Sequence, residues 1–229
     1  MNKFTSVLLI ALFFLASCKS NEQKAGTLIR ERLNLTLNDF TSYEPLETKI
    51  DSAFRSGLLD SSIVNRTKIF VEVMDDYERN SELARTALRH ADVVGSLNYS
   101  AYAKAQWDKY QAQFKEYEWQ CIWSGTTAKN LDKTIREMID SLGNDFVGWS
   151  ILHRFRAKNK DGNYEVYDYL FVADPGFKQL LLEMDTGTEE SKQLMMLLNG
   201  YFKQDEIRFF DEDIALFVTN DLKYNRRPW

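Results

Sequence analysis

Val147-Gly148-Trp149-Ser150-Ile151-Leu152-His153-Arg154-Phe155-Arg156-Ala157-Lys158 runs into Asn159-Lys160-Asp161-Gly162-Asn163, and then into Tyr164-Glu165-Val166-Tyr167-Asp168-Tyr169-Leu170-Phe171-Val172-Ala173-Asp174. Val147, Trp149, Ile151, His153, Phe155 and Ala157 recur with a period of two, and Ser150, Arg154, Arg156 and Lys158 fall on the opposite face. That alternation predicts a half-buried strand. Asn159-Lys160-Asp161-Gly162 predicts a type I turn closed by a left-handed glycine, the three-residue hairpin loop. Pairing Asn159 with Asn163 sets Phe155 against Tyr167, His153 against Tyr169 and Ile151 against Phe171. The same register sets Arg154 against Asp168 on the reverse face. An aromatic face and an ion-paired face thus follow from one register.

Outward from this hairpin, the N-terminus reads as a targeting segment. Residues 1–17 carry Lys3 followed by the apolar run Val7 to Leu15, the pattern of a signal peptide. Leu15-Ala16-Ser17-Cys18 resembles the lipobox of bacterial lipoprotein precursors. The resemblance implies cleavage before Cys18, which then carries the lipid that anchors the chain; several acyl chains give stable anchoring where one is marginal. Residues 18–26 are polar and read as a tether.

The full chain carries 29 basic and 34 acidic residues; without Lys3 the balance is 28 against 34, a net charge of −6. That sign argues against nucleic acid and against a polybasic grip on anionic lipid. With Cys18 lipidated, Cys121 has no partner for an intramolecular disulfide. Residues 27–229 are counted as one domain, long enough to bury about 70% of the unfolded surface.

Thr27 to Asn38 reads as a helix capped by Thr27, with Leu28, Ile29, Leu33, Leu35 and Leu37 as its apolar side. Pro45 ends that region, and Leu46 to Phe54 alternates as a first strand. Phe70, Met74, Tyr77, Ser81, Ala84, Leu88 and Ala91 repeat at spacings of four and three; so do Ala103, Trp107, Tyr110, Phe114, Tyr117 and Cys121. With Gly95-Ser96-Leu97-Asn98 between them, these runs predict an antiparallel helical hairpin. Ser124-Gly125-Thr126-Thr127 reads as a break, followed by a separate helix on Leu131, Ile135, Met138 and Leu142. Phe177 to Asp185 fits either a third strand or a helix, and the need for a third strand favours the former. Glu189 to Phe202 reads as a helix on Leu194, Leu197, Leu198 and Tyr201. Ile207, Phe210, Ile214, Phe217 and Val218 suggest a last helix before a tail ending at Trp229.

No constellation of reactive residues is legible. His90 and His153 lack a second ligand at metal spacing, and Asp75-Asp76 and Asp211-Glu212-Asp213 lack the glycine-bearing calcium loop. There is no nucleophile elbow or phosphate-cradling glycine loop, and the heptad position of Cys121 predicts a buried thiol. We therefore expect no catalytic residue, metal or cofactor. His153 is open to two readings: a core histidine bonded to a tyrosine or a carbonyl, or a polar group at the floor of an aromatic cleft. Trp149, His153, Arg154, Arg156, Tyr167 and Tyr169 form the candidate ligand or partner surface.

Cys18, the helix Leu28–Leu37 followed by Ser42-Tyr43-Glu44-Pro45, the helical hairpin, and Gly148-Trp149 through His153-Arg154-Phe155-Arg156-Ala157-Lys158-Asn159 to Gly162 together resemble uncharacterised envelope lipoproteins of Gram-negative bacteria. The resemblance implies location and architecture, and no activity. The expected fold is α+β: a small antiparallel β-sheet packed with helices, with 60–142 inserted as an antiparallel helical hairpin. The expected function is that of a non-enzymatic, lipid-anchored envelope lipoprotein, at the outer membrane's periplasmic or surface face, binding an envelope protein or a cell-wall component. The alternative is a small-ligand carrier with a cleft near Trp149, His153 and Tyr169.

Overall fold

The computed structural model describes residues 20–96 and 100–202. The signal peptide, the lipobox with Cys18, the middle of the loop at 97–99, the helix suggested around Ile207 to Val218 and the tail to Trp229 lie outside the described residues. The elements are α1 (Asn21–Thr36), β1 (Glu44–Phe54), α2 (Ser61–Gly95), α3 (Ala101–Asp140), β2 (Phe146–Lys158), β3 (Tyr164–Ala173), β4 (Leu180–Asp185) and α4 (Glu189–Phe202). This is the α+β fold expected from the sequence, a four-stranded antiparallel sheet with helices and a long antiparallel pair, α2 and α3. The chain contacts fall into two compact units: a sheet unit of residues up to Leu59 plus Gly143–Gln193, and a helical unit of Asp60–Leu142 plus the chain from Leu194.

The sheet order is β1-β2-β3-β4, all neighbours antiparallel. The β2–β3 register is the one the turn chemistry dictates: Phe155 opposes Tyr167, His153 opposes Tyr169, Ile151 opposes Phe171 and Arg154 opposes Asp168. Asn159 N–H donates to the Asn163 carbonyl at 2.8 Å, Gly162 N–H donates to the Asn159 carbonyl at 3.1 Å, and Gly162 has φ 81°. The segment left between strand and helix is β4; it pairs Leu182 with Val172 and Asp185 with Tyr169. Gly148 has φ 147°, and a β-carbon there would lie 1.9 Å from the Ala173 carbonyl oxygen, so this close strand approach requires glycine.

One face of the sheet packs on α1. Ala25, Ile29 and Leu33 are buried against Ile151, Phe155, Ala157, Phe171 and Ala173, with Phe177 closing the end. Rings stack along this face: Phe155 on Tyr167 at 5.3 Å, Tyr169 on Phe171 at 5.6 Å and Trp149 on Phe177 at 5.8 Å. Phe177 holds φ 55°. Asp174 fixes that turn, its carboxylate accepting from the backbone N–H groups of Gly176, Lys178 and Gln179.

Two expectations need correction here. Residues 20–26 are not a tether: α1 starts at Asn21, and Ser20 caps it. The Ser20 hydroxyl accepts from the Gln23 N–H at 3.3 Å, and the Gln23 side chain accepts from the Ser20 N–H at 3.2 Å. This reciprocal box satisfies two otherwise orphaned donors, and the buried Ala25 extends the packed face by a turn. Leu35, assigned to the apolar side, is 77% exposed, because the packed stripe is Ala25, Ile29 and Leu33.

In the helical unit, α2 and α3 are each continuous, 35 and 40 residues long. Phe70, Tyr77, Ser81, Ala84 and Ala91 of the predicted first seam are buried, as are Ala103, Phe114 and Cys121 of the second. The break expected at 124–127 is absent. Ser124, Gly125 and Ala128 are buried, so small side chains there serve close packing. The Thr126 and Thr127 hydroxyls donate to the Ile122 and Trp123 carbonyls at 2.8 and 2.9 Å. A glycine costs about 1 kcal/mol in a helix interior. A break would instead leave a turn of backbone donors and acceptors unpaired at each new end. The α4 helix buries Leu194 and Leu198.

Candidate functional site

The six residues nominated from the sequence are divided between the two faces of the sheet by strand alternation, and three of them, His153, Arg154 and Tyr169, line one hollow. Trp149, His153, Tyr167 and Tyr169 lie on the α1 face of the sheet, and Arg154 and Arg156 lie on the reverse face. Strand alternation makes this unavoidable for neighbours such as His153 and Arg154.

His153 is 4% exposed. Its Nε2 lies 2.8 Å from Tyr43 Oη and its Nδ1 lies 2.9 Å from Thr48 Oγ1. Burial pushes the Tyr43 phenol above its ordinary pKa. In a neutral ring one nitrogen donates and the other accepts, and the two hydroxyls, each able to do either, complete both bonds. Burial also pushes the His153 pKa down, outweighing a hydrogen bond to the Glu47 backbone that raises it. The ring lies tilted against Tyr43 and stacked on Phe155. This is the first of the two sequence readings of His153, a core histidine bonded to a tyrosine. Tyr43 and Thr48 were not legible as its partners. Thr48 reaches it through β1–β2 pairing across 105 residues of chain, and no turn between those strands announces that pairing.

Trp149 lies over Phe177, with Nε1 donating to the Pro175 carbonyl at 3.3 Å. Tyr167 donates to Glu165 at 3.1 Å, and burial is the first cause of its raised pKa. Trp149 and Tyr169 pack against the core beneath α1, while His153 and Tyr169 also contribute to the lining of a hollow.

The reverse face is a lattice of ion pairs. Arg154 binds both oxygens of Asp168, at 2.7 and 3.0 Å, and this fork holds the Asp168 carboxyl below its usual range. Lys49 pairs with Glu47 at 2.9 Å, and Arg156 pairs with Glu44 at 2.6 Å while lying 4.8 Å from the Tyr164 ring centre. A hollow of about 450 Å3 opens here, lined by residues that include Lys49, His153, Arg154, Asp168, Tyr169 and Lys192.

A second hollow of about 470 Å3 runs between α1 and β4, lined by Leu28, Glu31, Arg32, Leu35, Leu180, Leu181, Leu182 and Glu183. Arg32 and Glu183 are paired across it. Sequence reading missed this groove. Its signal was the excess of leucine in α1 beyond the stripe one packed face can bury.

His90 is exposed, its ring 5.1 Å from that of Tyr110, and Cys121 is buried in the helical unit. Among the described residues, no group of three histidines, cysteines or carboxylates is gathered as a metal site requires. Among them too, no helix is long and apolar enough to cross a membrane. Compared with protein-family models, curated proteins and solved structures, the chain matches none.

Proposed function

We propose that this chain is a non-enzymatic, lipid-anchored envelope protein that works by binding a partner protein or a cell-wall component. The observation that carries this reading is the groove between α1 and β4. It leaves Leu35 and Leu181 exposed beside each other along a hollow lined mostly by leucine. Lipid on Cys18 would hold this unit close to the bilayer, since one residue separates Cys18 from the Ser20 cap, a reach of about 7 Å. Sites for photo-crosslinking amino acids placed over the whole surface, in cells with intact envelopes, test the binding role. Discrete adducts at one patch are expected, and a clean result at every position and growth condition would sink the proposal. Cys18→Ala tests the anchor: the variant should leave the membrane fraction.

A second reading keeps the small-ligand carrier, with its site at the hollow whose lining includes His153, Arg154 and Tyr169. A panel of envelope metabolites, read by tryptophan fluorescence and by thermal shift, separates the two. A saturable change that Arg154→Ala abolishes would favour the carrier.

A further inference from the structure

The two edges of the sheet differ. The β1 edge carries Glu44, Pro45, Glu47, Lys49 and Asp51, and its pairing slips at both ends, between Pro45 and Glu47 and between Ala53 and Phe54. Proline, charge and bulges are the devices that keep an edge strand from pairing with another chain. On β4 the sequence is Leu180-Leu181-Leu182-Glu183-Met184-Asp185, with one irregularity at its start and a regular run from Leu182 to Asp185. Thr186 N–H donates to the Asp168 carbonyl at 2.8 Å. By the alternation of an antiparallel ladder, Leu182 and Met184 bond toward β3, and Glu183 and Asp185 turn their backbone groups outward. Among the described residues, no further strand pairs with that edge.

Beside the edge, α1 overhangs the sheet. Its Ala25, Ile29 and Leu33 are spent on the sheet core, and Leu28 and Leu35, seven residues apart on the neighbouring stripe, line the groove beyond β4. A strand added to β4 would lay alternate side chains on those leucines. The edge has a sign: β4 carries Glu183 and Asp185 and no cation, and the groove beside it is lined by Glu31 and by Arg32, which pairs with Glu183.

We infer that the β4 edge and the α1 groove take one extended segment of a partner protein, added as a fifth strand, with apolar side chains at alternate positions and a lysine or arginine between them. The inference rests on the binding role proposed above and names the chemistry of the partner. Charge selects this occupant over a second copy of the chain, because pairing β4 with its own copy would bring two acidic rims together. Backbone pairing would supply affinity and the leucine pockets would supply specificity, as in other recognition by strand addition.

The test uses the full chain, isolated from envelopes in detergent, and a fluorescein-labelled, capped six-residue peptide alternating valine with lysine and threonine. Fluorescence polarisation should show saturable binding. Leu35→Glu and Leu181→Glu, both at exposed positions that leave the core untouched, should each weaken it by about tenfold or more. A peptide with alternate backbone amides N-methylated should lose binding while keeping its side chains. Replacing the peptide lysines by glutamate should weaken binding, and Glu31→Lys should reverse that preference. Equal binding of the N-methylated peptide, or no effect of Leu35→Glu, would overturn the inference. So would a dimer that Leu181→Glu dissolves, which would make the occupant a second copy, or a gain in affinity on removing residues 203–229, which would make it the chain's own tail. Crosslinked partners that map elsewhere on the surface would overturn this inference and leave the binding role standing.

Discussion

The sheet unit and the helical unit reach stability by different routes. In the sheet unit, large rings interlock at fixed places, and Phe155 alone lies within 5.5 Å of the rings of Tyr43, His153, Tyr167 and Tyr169. In the helical unit the buried set of α2 and α3 mixes large side chains, among them Ile63, Phe70, Tyr77, Phe114, Ile135 and Ile139, with small ones such as Ala84, Ala87, Ala91, Ala103, Ser124 and Ala128. Interlocked aromatics tolerate little change of shape, whereas small-residue packing tolerates no increase in size. A unit of the first kind places a groove edge accurately, and one of the second kind builds length cheaply.

Substitutions can break this contrast, starting with the largest effect. Gly148→Ala puts a methyl group into the Ala173 carbonyl, so the β2–β3 ladder must open. The sheet unit should lose more than about 4 kcal/mol, read by denaturant unfolding. Phe155→Ala should cost about 3–5 kcal/mol, because the cavity left among four rings cannot collapse. In the helical unit the sensitive direction reverses: Ala128→Leu, at a fully buried position, should cost about 1–3 kcal/mol.

A smaller effect tests the histidine lock. His153 is held neutral by burial, so its folded-state pKa lies below the unfolded value of about 6.5. Between those two values the unfolded chain binds the extra proton. Stability is therefore fully present above about pH 6.5 and is lost as pH falls toward the folded pKa. Thermal melts from pH 7.5 to 5 should show that decline, and His153→Gln should flatten it. The smallest effect belongs to the reverse face. Arg154→Ala should leave the melting temperature almost unchanged, since the Arg154–Asp168 pair is solvent-exposed. A large loss there would mean that the ion-pair lattice orders the sheet and that rings are not the main source of its rigidity.

Legibility differed between the units for physical reasons. The β2–β3 register was readable because strand period, turn glycine and cross-strand pairing are all local and agree. The α1 start was also written locally, as Ser20-Asn21-Glu22-Gln23, but its polar composition beside Cys18 reads equally as a linker. At Ser124-Gly125-Thr126-Thr127 local propensity argued for a break and packing overrode it. The candidate surface was the least legible part. Alternation alone divides Arg154 and Arg156 from Trp149, His153, Tyr167 and Tyr169. What closes over the aromatic face, α1, comes from elsewhere in the chain.

By itself, then, the sequence determined the class of fold, the central hairpin with its register, and the antiparallel helical pair, since each depends on periodicity and on turns a few residues long. Only tertiary structure decided that Tyr43 and Thr48 lock His153 and that α1 and β4 leave a leucine groove between them. Those arrangements join residues more than 100 positions apart, and nothing in a local run of sequence specifies which distant face arrives, or which part of it is left uncovered.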